Sequence, residues 1–291
     1  MKSLCIKTNN SKFLDYLLNE LKYANIDNIC FSQNKFKHYN NIIIHYLSNS
    51  NYSYFFDKIC NLLTFFVIDE FEDILIKRII NKQYFYFNSS EKNKIINICY
   101  DLLTDDYYEW FDIKFEKIYN SFYNFISQNK NLVLDGFINF RLQKYNDILD
   151  KLVSEAVNNY IIEKEYMEFI SLLKLYINSQ SPNSDTVHLI YKTSESILLD
   201  ENKNLILNSN DFNNAKYLSD ISFSSNDYTL NSLLNLLPKK IYIHIIDNNI
   251  DEFINTLKLI FENRVFICLQ CDICDLYRYQ DNLSSKINDE H

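Results

Sequence analysis

Ile241-Tyr242-Ile243-His244-Ile245-Ile246, Ile250-Asp251-Glu252-Phe253-Ile254-Asn255-Thr256-Leu257-Lys258-Leu259-Ile260-Phe261 and Arg264-Val265-Phe266-Ile267-Cys268 follow one another with only short polar breaks between them. The first and third stretches are short, β-branched and almost wholly apolar, which suits strands buried on both faces. In the middle stretch Ile250, Phe253, Ile254, Leu257, Ile260 and Phe261 recur at spacings of three and four, the stripe of an amphipathic helix. The spacing predicts a strand from Lys240 to Ile246, a helix from Ile250 to Phe261 and a strand from Arg264 to Cys268. A strand, helix and strand of this length form a right-handed parallel crossover.

Upstream of this unit, Thr186 to Lys192, Ser196 to Leu199 and Leu205 to Leu207 read as strands, the last two joined at Asp200–Asn204 as a hairpin. A further strand near 218 to 224 precedes a short helix from Thr229 to Leu237, stopped by Pro238. The turn cluster Ser179-Gln180-Ser181-Pro182-Asn183-Ser184-Asp185 closes a long helical region. In that region helices are expected from Tyr52 to about Asn81, broken once, from Ser90 to Leu103 and from Asp106 to Gln128. Beyond them a stripe runs from Ile138 to Ala156, and a further helix from Glu163 to Asn178. Ahead of it all, residues 3–8, 28–32 and 41–47 read as short strands, with a helix near 12–23 capped by Asn10-Ser11. The fold class is therefore α+β: N-terminal short strands, a large helical middle, and a C-terminal mixed sheet containing a β-α-β crossover. The division expected is a predominantly helical region over 1–180, an α+β region over 181–275 and a structureless tail over 276–291.

Composition excludes more than it suggests. The chain of 291 residues holds one glycine, Gly136, so a phosphate-cradling P-loop, a dinucleotide fingerprint and a nucleophile elbow cannot be written in it. Seven scattered cysteines fit a reducing compartment better than a disulfide framework. Residues 1–13 carry Lys2, Lys7 and Lys12 with no apolar core of a signal peptide, and the apolar run Ile59–Ile68 is about half a bilayer span. A cytoplasmic location is expected. The net charge of −9 gathers toward the end, where residues 185–291 hold 9 Lys and Arg against 16 Asp and Glu. That balance disfavours nucleic acid as a partner, since phosphate binding needs clustered basic residues.

Cys268-Leu269-Gln270-Cys271-Asp272-Ile273-Cys274 is the sharpest chemical constellation. Two-residue spacings let thiolates converge on one ion, and His244 should lie near the carboxyl end of the strand beside Cys268. Cys268, Cys271, Cys274 and His244 together make a Cys3His set suited to zinc. An iron–sulfur cluster fits less well, because Arg278 and Tyr279 stand where a bacterial ferredoxin run has its fourth cysteine and proline. The plainer alternative is that the three cysteines are ordinary thiols and His244 points into the core on the far face of its strand. A second candidate, Glu163, Glu165 and Glu168 with Glu155 and Arg141, reads either as paired carboxylates for acid–base or cation chemistry or as a solvated helix face. His188, in the strand Thr186–Tyr191, has no cysteine beside it and reads as an ordinary strand residue. No catalytic set can be assembled from sequence, so the chain gives no ground for an enzyme.

One stretch carries a resemblance. Asp135-Gly136-Phe137-Ile138-Asn139-Phe140-Arg141-Leu142, Val153 to Val157, Glu163-Lys164-Glu165-Tyr166 into Phe169-Ile170-Ser171-Leu172-Leu173-Lys174, and Gln180-Ser181-Pro182 with Asp185-Thr186-Val187-His188 together resemble the YtxC-like family of sporulation proteins. The similarity is strongest over 134–190 and extends toward Cys274. It implies a cytosolic protein associated with sporulation, a regulatory or assembly factor acting through a protein partner, and it carries no catalytic residue with it. The alternative function is a zinc-binding protein, structural or enzymatic, built on the cysteine run.

Overall fold

The computed structural model describes residues 2–23, 29–36, 39–47, 52–105, 107–192, 195–208, 224–247 and 249–279. The strand expected near 218 to 224 and the tail beyond 279 lie outside them. The chain divides into two compact units, Met1–Glu163 and Lys164–His291.

In the first unit, β1 (Lys2–Thr8), β2 (Ile29–Lys35), β3 (Asn40–Tyr46) and β4 (Asn131–Val133) form a sheet in the order β2-β3-β1-β4. β3 runs antiparallel to β1 and β2, and β4 is parallel to β1. The helices are α1 (Ser11–Tyr23), α2 (Tyr52–Phe66), α3 (Glu72–Gln83), α4 (Ser89–Asp105), α5 (Tyr107–Gln128), α6 (Leu134–Arg141) and the first part of α7 (Gln143–Ser179). The break expected in the helix from Tyr52 is a π-helical turn, Val67–Phe71, where the Glu72 N–H donates to the Val67 carbonyl. The core collects the apolar stripes of these helices with Leu4, Ile6, Ile42 and Ile44 of the sheet. Within it Lys114 Nζ donates to both Glu72 oxygens at 2.8 and 3.0 Å, and the Tyr145 hydroxyl donates to Glu72 Oε2 at 2.7 Å. Burial and Glu72 hold the Tyr145 phenol well above its ordinary pKa.

Two local expectations differ from what forms. The stripe from Ile138 is split at Leu142, which leaves the helical region between α6 and α7. Beyond it the two expected helices are one, because no Gly or Pro interrupts residues 143–179.

In the second unit, β5 (Ser184–Lys192), β6 (Glu195–Leu199), β7 (Leu205–Asn208), β8 (Pro238–Ile245) and β9 (Val265–Cys268) form a sheet in the order β7-β6-β5-β8-β9. β5, β8 and β9 are mutually parallel, while β6 and β7 add antiparallel strands at one edge. The expected crossover is there, with α9 (Glu252–Phe261) between β8 and β9. Asp251 starts α9 by accepting the Ile254 N–H at 3.1 Å. α8 (Ser225–Leu236) begins earlier than expected, at a capping box in which Ser224 and Asp227 each accept the other's backbone N–H. One face of the sheet, with Val187, Leu189, Ile241, Ile243 and Ile245, is covered by the last part of α7, by α8 and by α9. The opposite face carries His188 and Ile190, Tyr242 and His244, and Phe266 and Cys268. Residues 272–279 form a last helix, α10, so among the described residues no structureless tail begins before 280. No helix of the described residues is long and apolar enough to cross a membrane.

Candidate metal centre

The parallel crossover sets His244 of β8 directly opposite Cys268 of β9 in register, so both side chains leave the sheet on the same side. Past Cys268 the chain turns through Leu269 and Gln270 and enters α10, with Cys271 at the helix start and Cys274 in its first turn. The Asp275 N–H donates to the Cys271 carbonyl at 2.9 Å, closing that turn. Strand register and helix pitch therefore aim three thiols and one imidazole at one point. Their ligand atoms lie within 4.8 Å of one another, and among the described residues no other group of three or more His, Cys, Asp or Glu side chains gathers in this way.

The individual separations are more telling. Cys274 Sγ lies 3.8 Å from Cys268 Sγ and 3.7 Å from Cys271 Sγ, and His244 Nδ1 lies 3.4 Å from Cys271 Sγ and 3.5 Å from Cys274 Sγ. A tetrahedron with roughly 2.3 Å Zn–S and 2.0–2.1 Å Zn–N bonds has S···S edges of about 3.8 Å and S···N edges of about 3.6 Å. Four of the six edges thus have the length of a tetrahedral ligand shell and all six lie within 4.8 Å, so this cluster can hold a metal ion. His244 is buried on the face shared with the cysteines, away from the apolar packing of α7, α8 and α9.

The electrostatics are divided: they favour a neutral imidazole and ionisation of Cys271, and oppose ionisation of Cys268 and Cys274. Burial, then His188 and Lys203, push the His244 imidazole down to about 4, which keeps it neutral, the form that offers a lone pair. Burial and then Lys203 also lower His188, against Asp200. Burial raises the Cys274 thiol to about 12, with Cys271 and Cys268 adding to it, and burial raises Cys268. At Cys271 burial pushes upward too, but hydrogen bonds from the Cys274 backbone N–H and neighbouring groups outweigh it and lower the thiol. That is the expected effect of a helix N-terminus on a thiolate.

Two residues outside the expected set complete the site. His188 Nδ1 is 2.9 Å from His244 Nε2, on the side of the ring away from the cysteines. Arg278 of α10 donates to the carbonyls of Ile246 and Ile245 at 3.1 Å each and to that of Leu269 at 2.7 Å, pinning the helix to the end of β8 and to the cysteine loop. Sequence offered no signal for either role, since both depend on strands and loops that meet only in the fold.

The acidic candidate is different. Glu155, Glu163, Glu165 and Glu168 all lie on exposed positions of α7. Arg141 sits 5.1 Å over the ring of Phe125. Of the remaining cysteines, Cys60 and Cys99 are buried, and burial pushes both thiols up to about 12, as for inert core residues.

The YtxC-like family matches residues 57–266 of the chain, a span that contains His188 and His244 and stops two positions before Cys268. No curated protein and no solved structure matches it.

Proposed function

The chain belongs to the YtxC-like family, and from that premise we propose that it is a zinc-binding, non-enzymatic protein of the sporulating cell's cytoplasm, which serves as a regulatory or assembly factor through a protein partner. Cys268, Cys271, Cys274 and His244 hold the ion. The observation that carries this reading is that four of the six S···S and S···N separations fall at 3.4 to 3.8 Å, edge lengths of a tetrahedral zinc shell, with all six inside 4.8 Å. Four protein donors leave no position for water or substrate, so the ion is structural: it fastens α10 and the cysteine loop across the open face of the second sheet. Iron–sulfur chemistry is disfavoured by the nitrogen donor and by Arg278, which stands in place of a fourth cysteine and spends its guanidinium on three carbonyls.

Elemental analysis of the full chain, purified anaerobically without chelators, tests this. The expected result is one zinc per chain, lost when Cys271 and Cys274 are both replaced by Ser. Protein that is metal-free in the wild-type form, or that turns over a defined substrate in a manner lost on a single substitution, would overturn it.

A further inference from the structure

The His244 ring is held at both edges. On one side Nδ1 faces the Sγ atoms of Cys271 and Cys274 at 3.4 and 3.5 Å; on the other, Nε2 lies 2.9 Å from His188 Nδ1. The two ring centroids are 5.2 Å apart and the planes differ by 26°. A nitrogen–nitrogen separation as short as 2.9 Å with centroids that far apart requires the rings to meet edge to edge, nearly in one plane. That is the geometry of an in-line N–H···N hydrogen bond rather than of face-to-face stacking. His188 is itself fixed by a row of rings across three strands: it lies 5.5 Å from Tyr242, which lies 5.3 Å from Phe266.

We propose that His188 is the positioning residue of the metal centre: its Nδ1 accepts the Nε2–H of His244 and so locks His244 in the tautomer whose Nδ1 lone pair faces the thiolates. A neutral imidazole has one N–H and one lone pair, and the hydrogen bond at one nitrogen decides which is which. Ligating histidines usually find a carboxylate or a carbonyl for this purpose, and that outer partner orients the ring and raises its basicity. Here three thiolates against a divalent ion already leave a net negative charge, and a carboxylate would add another in a half-buried place. A neutral imidazole orients His244 without that repulsion.

The inference rests on the zinc reading, and its test separates the two. Zinc affinity of the full chain is measured by competition with a chromophoric chelator for the wild type, His188→Phe and His188→Asn. Phe keeps a ring against Tyr242 but removes the acceptor; Asn places an oxygen acceptor near the position of Nδ1. His188→Phe should still bind one zinc, with affinity lower by roughly 10- to 100-fold, and His188→Asn should recover most of the loss. In the zinc form of the wild type, imidazole nitrogen shifts should show His244 protonated at Nε2 and His188 unprotonated at Nδ1, a signature that simple ring packing would not produce. Equal zinc affinity in wild type and His188→Phe overturns the positioning role and leaves the zinc site standing; a wild type that takes up no zinc overturns both. If His188→Phe does not fold, the nitrogen shifts decide, and a proton on His188 Nδ1 in the zinc form defeats the proposal.

Discussion

The two faces of the second sheet are closed by different means. On one, Ile241, Ile243, Ile245 and their neighbours on β5 are buried by three helices whose own stripes supply Ile170, Leu233, Leu257 and Phe261. Each such side chain stabilises by roughly 1.5–3 kcal/mol when fully buried, and no polar device is needed. On the other face the buried cluster is Ile190, Leu199, Ile246 and Cys274, the last from α10, which otherwise adds only half-buried Ile273 and Tyr277, while Leu276 and Tyr279 stay exposed. Ordering a loop and a two-turn helix costs more conformational entropy than so few side chains return. The cysteines, His244 and Arg278 stand where that apolar area is missing, as metals do in domains with small cores.

The largest expected effects come from exchanging the conditions of the two faces. Cys271→Ser combined with Cys274→Ser should lower the stability of zinc-saturated protein by about 4 kcal/mol when free zinc is near 1,000 times its Kd, and should change chelator-treated protein far less. Ile243→Ala, on the apolar face, should cost about 2–5 kcal/mol with or without chelator. Denaturant unfolding of the two variants under both conditions checks this. If the serine pair loses the same stability in chelator, the sulfurs act by packing, and the contrast between the faces dissolves.

Arg278→Ala comes next. Removing a guanidinium that serves three carbonyls should cost about 1.5–3 kcal/mol, felt as faster amide exchange across 272–279 and faster zinc release. If exchange in α10 is unchanged, the ion alone fastens the helix.

How much of this was open to a reader of the sequence depends on range. The crossover of β8, α9 and β9 was legible because its strands and helix are consecutive and strongly periodic, and that adjacency placed His244 beside Cys268. His188 was not, because β5 reaches β8 across a hairpin, the segment 209–223 and α8, and only the parallel pairing of His188 with Tyr242 brings its ring to His244. β4, three residues long, is too short to show a period. The start of α8 was visible as Ser224-Ser225-Asn226-Asp227, a capping pattern that the apolar spacing from Thr229 obscured.

pH should move the two faces in opposite directions. On the apolar side the Tyr191 hydroxyl donates to Asp251, and burial followed by that bond raises the phenol's pKa. A folded pKa above the unfolded value near 10 gives stability that is complete below about pH 10 and is lost as pH rises beyond it. Tyr191→Phe should flatten that alkaline loss in a pH series of denaturation midpoints. The metal face should weaken on acidification instead, because protons compete with zinc for the thiolates. A loss of stability on both sides confined to the same pH limb would mean that one ionisation governs the whole sheet.

The smallest effects concern a turn on the metal side and the lone glycine of the first unit. Lys203, in the β6–β7 turn, has φ 66°, a left-handed conformation that glycine adopts without strain and a lysine does not. The turn is closed by bonds that do not involve the Lys203 side chain: Lys203 N–H to the Asp200 carbonyl at 3.0 Å, and Asn204 N–H to Asp200 Oδ1 at 2.8 Å. Lys203→Gly should therefore keep the hairpin and raise stability by about 0.5–1 kcal/mol in chelator-treated protein, where the charge that Lys203 directs at His188 and His244 bears on no bound ion. Gly136, by contrast, lies in α6 at a backbone angle open to any residue, and an added Cβ would meet only Val133 Cγ1 at 3.7 Å. Gly136→Ala should gain a similar amount, about 0.4–1 kcal/mol, by reducing the freedom of the unfolded chain. The chain thus keeps its glycine where the backbone does not require one and a lysine where the backbone favours one. If Lys203→Gly proves destabilising, the lysine contributes a contact that outweighs its backbone strain, and the turn beside the metal face is held by more than its own hydrogen bonds.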